Sequence, residues 1–312
     1  MIMKLFDLHC DTATGLLKRR ESLYDNSLHV SLKKAEYLDT YAQIMAIWTE
    51  YKLSDGEGFA RFFEVADNLE KEIIINSERA CLANDFGAIQ GAIDAKKSPL
   101  ILAVEDARIL EGDILRLNAL YDKGVRLLTL NWSGASCIGG AHNTDMGLSA
   151  FGIEVVKKCF ELGIIPDVSH SSFAGTQMAI ELAFEHNKTI VASHSDSYSV
   201  NPHTRNLRDE DLIDIMRLEG LVGINLCPEH LNSKMDASLT DVIKHIEHYL
   251  SLGGENVIAM GTDLDGTNLP NGFKDIADIY KIFEEMQRLN YSEDLINKIA
   301  FENAFAFFKR NL

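Results

Sequence analysis

Short apolar runs of strand length alternate with longer stretches of helical periodicity along the chain. The first run opens at Leu5, and others follow at 41–48 (YAQIMAIW), 99–104 (PLILAV), 125–131, 164–168, 189–193, 220–226 and 256–261. Between them apolar residues recur three and four apart, most plainly at Phe59, Phe62, Phe63, Ala66, Leu69 and Ile73 within 56–76, which marks a helix with one buried face. The same spacing predicts helices over 86–97, 109–123, 149–162, 173–187, 207–218, 239–252, 275–289 and 292–309, with a helix or loop at 14–22. Strands that are apolar throughout are buried on both faces, and parallel strands need helical crossovers. Eight such units predict an α/β architecture, either a doubly wound open sheet or a closed barrel.

Polar residues at the strand ends separate the two. His9 and Asp11 follow the first run, Glu105 the third, His170 the fifth, His194 the sixth and Asp263 the eighth. In an open sheet these ends would spread along a line; in a (β/α)8 TIM barrel they meet around one mouth, where that fold carries its active sites. The expected fold is therefore a single barrel domain over residues 1–312.

Taken alone, His9 and Asp11 could be a buried hydrogen-bonded pair. Leaving one strand two residues apart, they are expected to project on the same side, with Cys10 between them turned into the core. Six polar groups gathered in one mouth change that reading, because burying them together costs several kcal/mol unless they are paired or bind metal. Two groups emerge, His9 with Asp11 and His170 with His194, and Glu105 lies between them with two oxygens able to bridge two cations. A shared water, acidified toward a pKa of about 7, would be the nucleophile. Asp263 suits proton transfer as a general acid/base. The predicted chemistry is metal-assisted hydrolysis of a polar carbonyl bond.

Composition narrows the partners. The 312 residues are 46% hydrophobic and 25% charged, ordinary for a globular protein, and the net charge of -17 repels nucleic acid and anionic membrane surfaces. Five dispersed cysteines, with no C-x-x-C pair, suit a reducing compartment. No stretch reaches the roughly 20 apolar residues of a membrane span, and Met1 to Lys4 runs straight into the first strand without a signal-peptide pattern. A cytoplasmic protein is expected.

Five motifs, in order, resemble those of the renal (membrane) dipeptidase family of binuclear zinc peptidases. They are Phe6-Asp7-Leu8-His9-Cys10-Asp11, Asp167-Val168-Ser169-His170, Ser193-His194-Ser195, Arg205-Asn206 and Gly261-Thr262-Asp263-Leu264-Asp265-Gly266, and Glu302-Asn303-Ala304 looks like the family's closing segment. The resemblance implies two zinc ions, one on His9, Asp11 and Glu105 and the other on Glu105, His170 and His194, with Asp263 transferring the proton. It also implies that Arg205 clamps the substrate's free carboxylate, that small dipeptides, D-residues included, are substrates, and that the protein is a homodimer.

Relatives from animals place a carbonyl-polarising histidine after the fourth strand, where this chain has Asn131-Trp132; His142 in the following loop is the candidate replacement, with Asn131 and Trp132 as pocket residues. An aromatic residue that some relatives carry past the seventh strand is replaced by Asn225-Leu226-Cys227-Pro228. Asp265 reads as a turn former or as support for the ligands. His29, His186, His203, His230, His245 and His248 end no strand and read as loop or surface histidines, and Asp209-Glu210-Asp211 as a solvated helix start. A second reading is another binuclear metal amidohydrolase, acting on a different small amide, lactone or ester; a His-x-His opening would favour it over the His9-x-Asp11 found here. A third, a catalytically silent binding protein, predicts a missing ligand, and none is missing.

Overall fold

A computed structural model describes residues 3–50, 53 and 56–312. Met1 and Ile2, part of the segment read above as leading straight into the first strand, lie outside the described residues. The strands are β1 (Lys4–Cys10), β2 (Thr40–Trp48), β3 (Ala80–Leu82), β4 (Ser98–Glu105), β5 (Val125–Thr129), β6 (Ile165–Asp167), β7 (Val191–Ala192), β8 (Leu221–Ile224) and β9 (Ile258–Met260). They pair in the order β2-β1-β9-β8-β7-β6-β5-β4, and β2 pairs with β4 from Gln43↔Leu100 to Trp48↔Glu105. That last pairing closes the ring, so the fold is a (β/α)8 barrel. The additional strand β3, which periodicity did not predict, pairs with Ser98–Leu100 at the entry of β4, outside the ring.

Helices fill the crossovers where the apolar spacing placed them, among them Glu57–Ile75, Ala150–Leu162, Phe173–His186, Asp209–Arg217 and Leu239–Ser251. Serine caps fix two of the starts: Ser149 accepts from the Gly152 amide and Ser172 from the Gly175 amide. The helix expected over 109–123 is broken into a 3-10 turn, Ala107–Leu110, and a helix, Arg116–Asp122. Glu111 and Gly112 between them take left-handed φ of 49° and 79°, which no helix continues through. The final stretch is likewise three pieces, with a π-turn at Lys298–Glu302.

Inside the ring, Phe6, Leu8, Ile44, Ile101, Leu127 and Val191 pack with Phe307 and Phe308 of the last helix, and the Phe6 ring stacks on Phe308 at 5.0 Å. This apolar plug fills the barrel below the strand ends. Outward-facing residues such as Leu100, Leu102 and Val104 pack against the helices instead. The polar side chains at the strand ends therefore sit above this plug, at the C-terminal mouth.

Candidate active site

His9 reaches the mouth because β1 is bulged. Asp7 pairs with Gln43 but Cys10 with Met45, so three steps on β1 oppose two on β2. Phe6 and Leu8 belong to the inner cluster and Cys10 to the outer one. Strict alternation from Leu8 would send Cys10 inward and His9 outward; the extra residue inverts that parity. Asp11 is not part of the strand as expected but precedes the helix Thr12–Arg19, so its convergence with His9 comes from the bulge and the helix start together.

Glu105 sits at the centre. Its Oε2 lies 3.7 Å from His9 Nε2, and its Oε1 lies 3.0 Å from His170 Nε2 and 3.6 Å from His194 Nε2. His9 Nε2 is 3.6 Å from Asp11 Oδ2, and the His9 and His194 rings stack at 3.7 Å. Asp263 completes a third grouping with His9 and His194, and its Oδ2 accepts from Asn225 Nδ2 at 3.2 Å. His170 and Asp263 both have left-handed φ, 68° and 59°, a local strain common at functional sites.

Burial and crowding shape the charges. Burial, with the Asp11 carboxylate adding to it, pushes the Glu105 carboxyl up to about 8 against the pull of His9. Burial also raises Asp263 to about 6, again opposed by His9. His170 and His194 are held well below the usual histidine range, first by burial and then by Arg205 and His9 respectively. Burial is the largest influence on His9 and works against its charged form, but the carboxylates of Glu105 and Asp11 together outweigh it and hold the ring well above the usual value. The mouth thus holds three carboxyl groups and two neutral imidazoles with lone pairs.

These residues fit divalent cations. His9 Nε2 and Asp11 Oδ1 are buried without hydrogen-bond partners. The Nε2 atoms of His170 and His194 face each other at 3.0 Å. Gly266 keeps the space open, since a Cβ there would strike the carboxylates of Asp11 and Asp263.

A cleft of about 560 Å³ opens over the cluster, reached by Asp11, Glu105, His170 and Asp263 and walled by Trp48, Trp132 and His230. Arg205 is 4% exposed, donates from Nη1 to Ser195 Oγ at 3.1 Å and from Nη2 to the His194 carbonyl at 3.0 Å, and keeps a buried Nε without a partner. It is not a surface ion-pair residue. The His142 ring lies 6.1 Å from that of His170, is hydrogen-bonded to Thr204, and is lowered to about 4 by burial and Arg205. Trp132 faces the cleft beside Trp48 at 5.1 Å. Asn131 is buried instead, its amide directed to Ser171 and its carbonyl to Ser136.

A family profile described as membrane dipeptidase, peptidase family M19, matches residues 2–311. The chain belongs to the membrane dipeptidase family. An uncharacterized protein of Klebsiella pneumoniae, from the pqqA 5′ region, is 28% identical over 248 residues, 75% of this chain and 90% of that one. In fold the chain is similar to a metallopeptidase from Rhodobacter sphaeroides liganded with a phosphinate mimic of L-Ala-D-Ala, with a TM-score of 0.93, 22% identity and both chains fully covered. It is similar also to the metallopeptidase dipeptidase AC, with a TM-score of 0.92, 24% identity and coverage of 100% and 99%.

Membership in the membrane dipeptidase family makes this chain a metallopeptidase that acts on dipeptides with divalent metal. Several histidines need correction within that frame. His230 walls the cleft, and His203 lies 5.0 Å from it and accepts from the Arg205 amide through Nδ1. His245 is fully buried, between the Ser197 amide and the Leu231 carbonyl. His245 belongs to the buried face of the helix Leu239–Ser251, His230 to the short helix Pro228–Leu231 and His203 to a loop, and strand-end placement carries no trace of any of them. His186 is exposed as expected, and His29 Nδ1 accepts from the Asp265 amide. Asp265 in turn accepts from Thr12 Oγ1 and from the amides of His29 and Val30, tying the segment after the first helix to the site. Asp211 is not solvated but 1% exposed. The supporting carboxylates Asp7 and Asp167 each stand two or three residues before a histidine of the cluster, the one sequence signal that marks them.

Proposed function

We propose that the chain is a zinc dipeptidase in which His9, Asp11 and Glu105 hold one cation and Glu105, His170 and His194 the other. The observation that carries this reading is Glu105, whose two oxygens address His9 on one side and the His170/His194 pair on the other. When bound, the two cations supply a water acidified from 15.7 toward about 7 and a Lewis acid for the scissile carbonyl. Asp263, raised to about 6 by burial, is poised near neutrality to take up a proton and deliver it to the leaving amine. Arg205, already charged and buried with a free Nε, receives the substrate's C-terminal carboxylate, for which a guanidinium fork is well matched. A carboxylate clamp this close to the cluster leaves room for one residue beyond the cleaved bond, which makes dipeptides the substrates, those ending in a D-residue among them. Trp132 and His142 flank the substrate in place of the polarising histidine of animal relatives. A single catalytic unit over the whole chain, a homodimer and a cytoplasmic location belong to the same reading.

The test is a hydrolysis screen over L,L and L,D dipeptides, small lactones and esters, each with and without chelator, together with elemental analysis. Chelator-sensitive cleavage of free dipeptides by protein carrying about two zinc equivalents is expected. Cleavage of lactones or esters alone, or of dipeptides in metal-free protein, would overturn the proposal.

A further inference from the structure

A buried carboxylate, Asp167, stands one strand away from His194. Asp167, at the end of β6, is 1% exposed and accepts four hydrogen bonds. Its Oδ1 takes the amides of Ser169 and Ser193, both at 2.9 Å, and its Oδ2 takes the hydroxyls of Thr129 at 2.7 Å and Ser193 at 2.5 Å. The Ser193 hydroxyl also lies 2.7 Å from Nδ1 of its neighbour His194. A hydroxyl has one hydrogen. The short bond to a carboxylate commits that hydrogen to Asp167, so towards His194 the Ser193 oxygen can only accept, and Nδ1 must carry a hydrogen to donate. The other ring nitrogen, Nε2, faces Glu105 and His170 and is the one left to ligate a cation.

We infer that Asp167 and Ser193 are positioning residues which fix His194 in the Nδ1–H tautomer and so prepare its Nε2 as a metal donor. The inference rests on reading His194 as a metal ligand. Partners of this kind orient ligating imidazoles and raise their basicity, and losing them costs about 10–100-fold in metal affinity. The two carboxylate oxygens are not equivalent, which gives the relay a sign. Oδ1 faces two backbone amides, so in Asp167→Asn the carbonyl oxygen must stay there and the amide nitrogen must take the place of Oδ2. That nitrogen donates to Ser193, whose hydrogen then turns to His194 Nδ1, and the imidazole is driven to carry its proton on Nε2.

The test uses the full chain, stripped of metal, with ¹⁵N-labelled histidine and the His194 signals assigned from their loss in His194→Gln. The wild type is expected to show His194 protonated on Nδ1, and Asp167→Asn on Nε2. Zinc titration against a competing chelator is expected to find one of two sites weakened about 10–100-fold in Ser193→Ala and restored in Ser193→Thr, which keeps the hydroxyl. A wild-type His194 protonated on Nε2, or Ser193→Ala that binds both zinc ions as the wild type does, would overturn the relay. Undiminished binding of both ions by His194→Gln would instead remove the ligand reading beneath it, so the two failures are distinct. Ser193→Ala, which deletes one oxygen, decides the matter should Asp167→Asn not fold.

Discussion

The Nε2 atoms of His170 and His194 stand 3.0 Å apart, and both imidazoles are held neutral by burial. Two lone pairs at that distance repel unless a proton or a cation lies with them, and His9 Nε2 and Asp11 Oδ1 close by have no hydrogen-bond partners at all. Metal should therefore stabilise the fold as well as serve catalysis. At a free concentration 100 times the dissociation constant one bound ion adds about 2.7 kcal/mol, and in a chain of 312 residues, with an unfolding entropy of about 2.1 cal/mol/K per residue, each kcal/mol moves the melting temperature by about 1.5 °C. Chelation is expected to lower Tm by roughly 4 °C per ion lost, reversibly on adding zinc. A Tm indifferent to chelator, read by calorimetry, would count against an occupied cluster.

Asp263 offers a cleaner separation of metal binding from proton transfer. Its φ of 59° lies in the left-handed region that asparagine tolerates well, and the carboxamide oxygen that replaces its Oδ2 would still accept from Asn225. Asp263→Asn is expected to fold, to keep its metal and to lose about 10²–10⁴-fold in kcat. Metal content and kcat measured on the same preparation check this, and an unchanged kcat removes the acid/base role.

The architecture was legible because parallel barrel strands are buried on both faces and leave continuous apolar runs; even β7, two residues long, lies within such a run. The convergence of His9, Glu105, His170 and His194 was legible for a related reason, since each ends a strand or follows one closely. The bulge in β1 was not, because an extra residue in a strand has no composition of its own. Nor was β3, whose three residues are too few to show a period. The roles of Asp7 and Asp167 stayed hidden because their hydroxyl partners, Thr262 and Ser193, lie 255 and 26 residues away. His203 lies in a loop, as expected, but His230 was misplaced for the same cause: contact across the chain, not position along a strand, brings it to the cleft.

Arg205 tests the substrate assignment. Bonds to charged groups contribute about 1.5–3 kcal/mol, so Arg205→Ala is expected to lower kcat/KM for free dipeptides by roughly 10–100-fold, mainly through KM, and to change that for C-terminally amidated analogues far less. Arg205→Lys keeps the charge without the fork and should fall between. The guanidinium also holds Ser195 and the His194 carbonyl, so zinc content is measured alongside. An equal loss on free and amidated substrates would refute the clamp.

His245 lies away from the cluster and predicts how stability responds to acid. Its Nδ1 accepts from the Ser197 amide at 3.0 Å, which places the ring proton on Nε2, where it meets the Leu231 carbonyl at 3.0 Å. No hydrogen bond is left for a second proton, and burial lowers the group to about 4. The unfolded chain, titrating near 6.5, takes up a proton that the folded state refuses. Stability from this site is therefore whole above about pH 6.5, declines as pH falls from there towards 4, and is flat below that. At 1.36 kcal/mol per unit, the loss by pH 4.5 is on the order of 3 kcal/mol. His245→Gln removes the titration and costs packing and hydrogen bonds at every pH. Its destabilisation relative to the wild type should accordingly be largest at pH 7.5 and shrink by about 2–3 kcal/mol at pH 4.5, measured by urea unfolding with chelator present at both values so that the metal site does not enter. A deficit that stays constant between the two pH values would mean that His245 is protonated in the folded protein, and that one of its two backbone bonds gives way to admit the proton.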